Sequence, residues 1–221
     1  MGQKIIDLTM LLKEGMQTFA AHWHPFVEIT QLARHGIENR ETRKLTLGTH
    51  TGTHIDAPRH FIKDGGTVEF IGLDQLCGQA TVVDFSELPD FSEIDVEMLK
   101  TAVGTSSYER LILRFDWDIK ALGNSRYYSD HPFLSEEAAQ WLVTQGCRLL
   151  AMDTPQPDNP QNGRNSDKDA PVHKILLGDE IVLVEYMVNL NALTAKEVYL
   201  VVAPLKIQEG DGAPARCFVI E

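Results

Sequence analysis

The sequence predicts an α/β fold, a single domain over residues 1–221 built on a mixed, strand-rich sheet. Three observations point to it. Many short runs are rich in Val, Ile and Leu, and several are continuously apolar, as strands covered on both faces are. Two segments carry both helix start and helix stop signals. No composition break and no internal repeat divides the 221 residues, a length that suits one sizeable core.

Residues 4–10 and 27–32 are short runs with β-branched content, and residues 43–51 alternate Leu45, Leu47 and Thr49 with polar neighbours. Residues 80–85, 111–117, 148–152, 180–190 and 198–207 read as further strands, with 215–220 as a final edge strand. Ser92 is placed to cap a helix over 93–103 that stops at Gly104. Ser135 is placed to cap 136–145, with Glu136 and Glu137 at the positive end and Gly146 beyond the last turn. A shorter helix has Pro171 in its first turn, where the missing N–H costs nothing, and ends at Gly178. Residues 154–168 hold Pro155, Pro157, Pro160 and Gly163 among Asn and Asp residues. They must form a loop, and a loop that long in a compact domain is more often functional than idle.

Composition removes several function classes. Twenty basic against 32 acidic residues give a net charge of −12, which argues against nucleic acid or an anionic membrane surface as partner. Cys77, Cys147 and Cys217 lie far apart, so neither a zinc ribbon nor a Cys-x-x-Cys redox site is indicated, and a sparse, odd count suits a reducing compartment. The first residues carry no long apolar run and no cleavage site, and no stretch reaches the roughly 18 apolar residues of a membrane span. A cytoplasmic protein is expected.

The chemistry is concentrated in His50-Thr-Gly-Thr-His54-Ile-Asp56-Ala-Pro-Arg-His60. The spacings are all even, so on a strand the four polar side chains share one face. Gly52, Pro58 and the threonines disfavour a helix. A straight strand would hold His50 and His54 roughly 13 Å apart, too far for one ion, so the chain must bend, with Gly48 and Gly52 as the places to do it. Imidazole and carboxylate together suit Zn²⁺ first, with Mn²⁺ or Fe²⁺ as alternatives, and suit Ca²⁺ or Mg²⁺ poorly. Three protein ligands leave room for a water that the ion acidifies toward a pKa of about 7. His60 is then the candidate general acid/base, because its ordinary pKa of about 6.5 serves both directions near neutrality.

The motif resembles that of the cyclase family of metal-dependent hydrolases, marked by His-x-Gly-Thr-His-x-Asp-x-Pro-x-His. Weaker similarity extends to Asp153-Thr154-Pro155, the His173 region and Val184-Glu185-Tyr186. The resemblance implies a swivelling β/β/α fold, a homodimer or homotetramer, and two divalent ions per chain. One ion would be held by His50, His54 and Asp56, the other by Asp56, His173 and Glu185. A carboxylate such as Glu185 within an apolar strand needs a partner, and a metal would supply one. The implied reaction is attack of a metal-bound hydroxide on a non-peptide amide C–N bond, of the arylformamidase type, with His60 protonating the leaving nitrogen. Alternatives within the family are a cyclic amide such as isatin, a cyclic imide, or a lactone. A non-catalytic, metal-stabilised binding protein is the alternative of another class. Near the N-terminus the sequence departs from the formamidase pattern. There Phe19 and Trp23 could form an aromatic substrate wall, although Trp23 could equally cover the core or an interface. Tyr127, Tyr128, His131 and Phe133 read as a packing unit at the start of the 136–145 helix.

Overall fold

The computed structural model describes residues 3–221. Twelve strands run in chain order: β1 (Ile5–Asp7), β2 (Glu28–Ala33), β3 (Thr42–Thr46), β4 (His54–Asp56), β5 (Cys77–Asp84), β6 (Glu93–Ile94), β7 (Arg110–Arg114), β8 (Phe133–Leu134), β9 (Leu149–Met152), β10 (Val182–Glu185), β11 (Glu197–Pro204) and β12 (Gly212–Ile220). Five α-helices accompany them: α1 (Leu73–Leu76), α2 (Val96–Val103), α3 (Trp117–Ala121), α4 (Glu136–Thr144) and α5 (Pro171–Gly178).

The main sheet closes on itself. β5, β7, β9 and β10 lie parallel side by side. β4 pairs antiparallel with β10 and with the start of β12, β12 pairs with β11, and β11 returns to β5. The result is a seven-stranded mixed barrel, with β1 added along the end of β12. The mixed sheet expected from sequence is thus present, but as a closed ring, which leaves few strand edges to protect.

Alternation along the strands sorts the core into two layers. Ile55, Val82, Ile112, Ala151, Val182, Val184, Leu200 and Cys217 fill the barrel interior. Leu111, Leu113, Leu150, Met152 and Leu183 point outward and pack under Leu99 of α2, Leu142 of α4 and Leu176 of α5. The outer layer is where α5 meets β10, and that position matters for the site. No helix of the described residues is long and apolar enough to cross a membrane.

Some local expectations need correction. The helix after Ser92 starts later: Glu93 and Ile94 form β6, paired parallel with β8, and Asp95 is the cap, accepting from Met98 N at 2.8 Å. Strand pairing there overrides local propensity. The 111–117 strand ends at Arg114. Asp116 then turns into the left-handed region (φ 56°), and α3 begins, its N-terminus tied to the buried Asp153 through Phe115 N and Trp117 N. The 180–190 strand stops at Glu185, because Tyr186 is also left-handed (φ 56°). The 43–51 strand ends at Thr46. Residues 215–220 belong to β12, which is no edge: it has neighbours on both sides. Residues 154–168 contain no helix or strand, as expected, and α4 and α5 lie close to their expected limits.

Candidate metal centre

The site lies on the outer wall of the barrel, where β4 joins β10. Ile55 points inward, so His54 and Asp56 on either side of it point out. The register sets His54 opposite Glu185, which brings both side chains to the same outer face. Before β4 the chain turns at Gly52, whose φ of 61° an L side chain rarely adopts, while Gly48 keeps an ordinary φ. That turn returns His50 to the site across β12. It lies over Gly212 so closely that a Cβ there would stand 2.5 Å from the ring. After β4, Pro58 opens a short 3₁₀ turn, Pro58–His60, which places the His60 ring 3.8 Å from that of His50.

His173 arrives from α5. The residue before this helix, Ala170, has no side chain to cap it, and Asp158 of the long loop does so from a distance. Its carboxylate accepts from Val172 N at 2.7 Å, from His173 N at 3.1 Å and from His173 Nδ1 at 2.5 Å. One acid therefore satisfies two free N–H groups of the first turn and fixes the imidazole.

Each of the three candidate histidine ligands shows the same arrangement. One ring nitrogen faces the carboxylates and the other is held from behind. His54 Nδ1 donates to Gly52 O (2.8 Å), so Nε2 faces Asp56 Oδ1 at 3.2 Å and Glu185 Oε2 at 3.6 Å. His173 Nδ1 donates to Asp158, so Nε2 faces Glu185 Oε1 at 3.2 Å and Asp56 Oδ2 at 3.4 Å. His50 Nε2 donates to Asp211 (2.9 Å), with Nδ1 2.7 Å from Asp56 Oδ1. Such outer partners are characteristic of metal-ligating histidines, because they fix the tautomer and raise ligand basicity.

Two donor sets result, His50–His54–Asp56 and Asp56–His173–Glu185, each with its ligand atoms within 4.8 Å of one another. Asp56 belongs to both, one oxygen to each set. Asp56 Oδ2 and Glu185 Oε1 are buried and make no hydrogen bond, a costly state for carboxylate oxygens. A cation between them and the imidazole nitrogens would remove that cost, so the residues present fit a divalent metal. A third grouping, His50–His60–Asp211, is only half-buried and reads as the support behind His50: Asp211 accepts from His50 Nε2, and His60 Nδ1 lies 3.6 Å from the same carboxylate.

The electrostatics show how strongly the cluster demands positive charge. Burial raises Asp56, but His50 and His60 outweigh it and hold the carboxyl well below its usual range. Glu185 is raised by burial and by Asp56 beside it. Burial lowers His50, yet Asp56 and Asp211 raise it to about 10, and His173 is likewise driven well above its ordinary value by Asp158, Asp56 and Glu185 against the effect of burial. In the metal-free state these imidazoles hold protons that a metal would displace.

A cavity of about 640 Å³ opens over the centre. His60, Phe61, Tyr186 and the expected Phe19 and Trp23 line it, with Trp23 63% exposed at the rim. The aromatic group at 127–133 divides. Tyr127, His131 and Phe133 are buried as the packing unit expected, whereas Tyr128 lines the cavity edge-on to Phe19. Burial keeps His131 neutral, with its pKa near 4. Sequence reasoning missed Asp158 and Asp211. The loop composition pointed to residues 154–168 without singling out an acid, and Asp211 sits between glycines with no spacing partner.

A family model described as Cyclase matches residues 6–159. The kynurenine formamidase of Bacillus anthracis is 31% identical over 217 residues, covering 98% of this chain and 97% of its own length. That of Erythrobacter litoralis is 32% identical over 219 residues, covering 99% and 94%. Among solved structures, isatin hydrolase A from Labrenzia aggregata bound to benzyl benzoate shares the fold with a TM-score of 0.87 at 23% identity, over 99% of this chain and 93% of that one. An isatin hydrolase bound to the product analogue thioisatinate gives a TM-score of 0.86 at 25% identity, over 99% and 92%. With the family model spanning well over half of the sequence and relatives aligned along nearly all of it, this chain belongs to the cyclase family.

Proposed function

We propose that this chain is a metal-dependent hydrolase that cleaves a non-peptide amide C–N bond in a small aromatic substrate, in the manner of an arylformamidase, with residues 1–221 acting as one catalytic domain. The observation that carries the reading is Asp56, one oxygen turned to each donor set and one of the two left without a hydrogen bond. The relatives named kynurenine formamidase support the amide specificity. Glu185 supports the two-ion form, since a carboxylate completes the second set.

In this reading His50, His54 and Asp56 hold one ion, and Asp56, His173 and Glu185 hold the other. When bound, the ions supply Lewis acidity toward a carbonyl and make water easier to deprotonate. His60 moves the proton. Its Nδ1 faces Asp211, and Nε2 has no protein partner among the described residues, in a ring that lines the cavity. It accepts a proton from the attacking water and returns it to the nitrogen as the C–N bond breaks, so amide and water become acid and amine. Phe19, Phe61, Tyr128 and Tyr186 cover the aromatic part of the substrate and limit water. The fold shared with isatin hydrolases favours a cyclic amide as the second reading.

A panel of N-formylkynurenine, isatin, a cyclic imide and a dienelactone, tested with metal-supplemented protein, distinguishes these. His60→Ala should keep its metal and lose about 10²–10⁴-fold in rate. Undiminished turnover would remove His60 from its role, and lost metal would make it a ligand. No hydrolysis of any panel member by fully loaded protein would favour a binding protein instead.

A further inference from the structure

The cavity over the candidate metal centre is lined by the acids Asp158, Asp169, Glu185 and Asp211, and by one arginine and no lysine, Arg164 of the long loop. Its guanidinium lies over the Phe19 ring, 4.3 Å from the centroid, and 5.7 Å from that of Trp23. Among the described residues it has no carboxylate within 4.0 Å, and its one hydrogen bond is a long one, 3.5 Å to Ala20 O. Arg43, Arg110, Arg114, Arg126, Arg148 and Arg216 each have an acidic partner; Arg34, Arg40 and Arg59, like Arg164, have none among the described residues, but of these four only Arg164 lines the cavity. Arg164 is thus a cation at the mouth of an acid-lined cavity whose charge none of those acids neutralises, held by the aromatic side chains beneath it.

The stacking suits anion recognition. An aromatic face attracts the guanidinium through its quadrupole and holds it in place. The N–H donors lie in the guanidinium plane, so a ring beneath leaves them free for a second, planar acceptor at the edge, and a carboxylate matches that fork with two parallel hydrogen bonds. The same aromatic side chains offer a surface for an aryl group. Arginine and aromatic wall thus form one recognition unit, whose two halves come from the 154–168 loop and the N-terminal segment. The unit also answers an electrostatic difficulty: an anion approaching a protein of net charge −12 gains from a local cation at the mouth of the site.

We infer that Arg164 binds a carboxylate carried by the aromatic substrate, so that the site selects carboxylate-bearing aryl amides over those that lack the group. This rests on the proposed amide hydrolysis for the identity of the substrate, but its test does not require turnover. Kynurenine and its primary carboxamide share the aryl ketone and the α-amino group and differ at the carboxylate. Their binding to metal-loaded protein can be compared by calorimetry, alongside kcat and KM for the two corresponding N-formyl compounds.

The wild-type protein should bind the carboxylate form about tenfold more tightly, the scale of a charge-assisted hydrogen bond at a partly exposed site. Arg164→Gln should abolish the preference, raise KM for the carboxylate substrate and leave kcat and the carboxamide affinity unchanged. Arg164→Lys should restore part of the preference. Equal affinities in the wild type, or no measurable binding of either ligand, would overturn the inference. So would a preference that survives in Arg164→Gln, since the metals would then hold the carboxylate. Equal weakening of both ligands would make Arg164 a packing latch and overturn it as well. Arg164-dependent binding without hydrolysis would defeat the proposed function and leave this inference standing.

Discussion

His50, His54 and Asp56 reach the candidate metal centre from one short stretch of chain, while His173 and Glu185 are brought to the same Asp56 from α5 and β10, far along the sequence. The first set is assembled by backbone turns at Gly52 and Pro58 and remains partly open, the His50 side chain being 17% exposed. The second is assembled by the closed barrel and the docking of α5, and both of its added candidate ligands are about 5% exposed. Local geometry therefore controls one half and tertiary packing the other. The buried half has the larger energetic stake, because a charge left unpaired there cannot turn to solvent.

The strongest disruption removes the shared residue. Asp56→Asn should lose both ions and about 10³-fold or more in activity, since the Lewis-acid contribution of several kcal/mol goes with them. Metal analysis and rate assays on the same preparation check it. Next, His173→Ala or Glu185→Gln should empty only the second set. His173→Ala should also cost about 3–5 kcal/mol in stability, because it strands buried carboxylates, whereas Glu185→Gln removes a charge and should cost less. Chemical denaturation separates the two.

Asp158→Ala probes the support behind His173. Metal affinity at the second set should fall about 10–100-fold with little change at the first, and the loss of the α5 cap should cost about 1 kcal/mol. Chelator competition and thermal melting measure these effects.

pH acts on both halves in the same direction, and His50 shows it. In the metal-free protein Asp56 and Asp211, against burial, raise His50 from 6.5 to about 10. A raised folded-state pKa stabilises fully below the unfolded value and loses that contribution as pH rises through the folded one. The metal-free protein should therefore melt at a lower temperature at pH 10 than at pH 6.5. With metal bound, that proton is already displaced, so the profile should be flatter and loading should release protons. The effect on metal binding should be smallest at the turn. Gly52→Ala forces an L side chain into φ 61° with its Cβ 3.0 Å from Leu12, at a cost of about 1–2 kcal/mol, and should weaken the first set more than the second.

The same division governs what could be read from the amino-acid sequence. The first set was legible because its ligands are neighbours at even spacing, and the need for a bend followed from distance alone. Gly52 supplies that bend, while Gly48 does not. His173 came only from resemblance, and Glu185 from resemblance joined to its place as a carboxylate in an apolar run, since nothing local announces that α5 will dock on β10. Asp158 and Asp211 act across the fold on partners distant in sequence, and no periodicity reveals such pairs. Strand runs 80–85, 148–152 and 198–207 were plain from their apolar content. The closure of β12 onto β4, which makes a barrel of the sheet, depends on pairing between segments that carry no mark of each other. β6 illustrates the limit most simply. Glu93 and Ile94 begin an acidic, capped stretch that reads as helix until β8 claims it.

The most direct test of the central claim is metal stoichiometry, measured by mass spectrometry after saturation with Zn²⁺ or Mn²⁺ and removal of excess ion. The account predicts two ions per chain in the wild type, one in Glu185→Gln, and none in Asp56→Asn. A wild-type chain that saturates at a single ion, or an Asp56→Asn variant that keeps both, would contradict the shared-carboxylate centre.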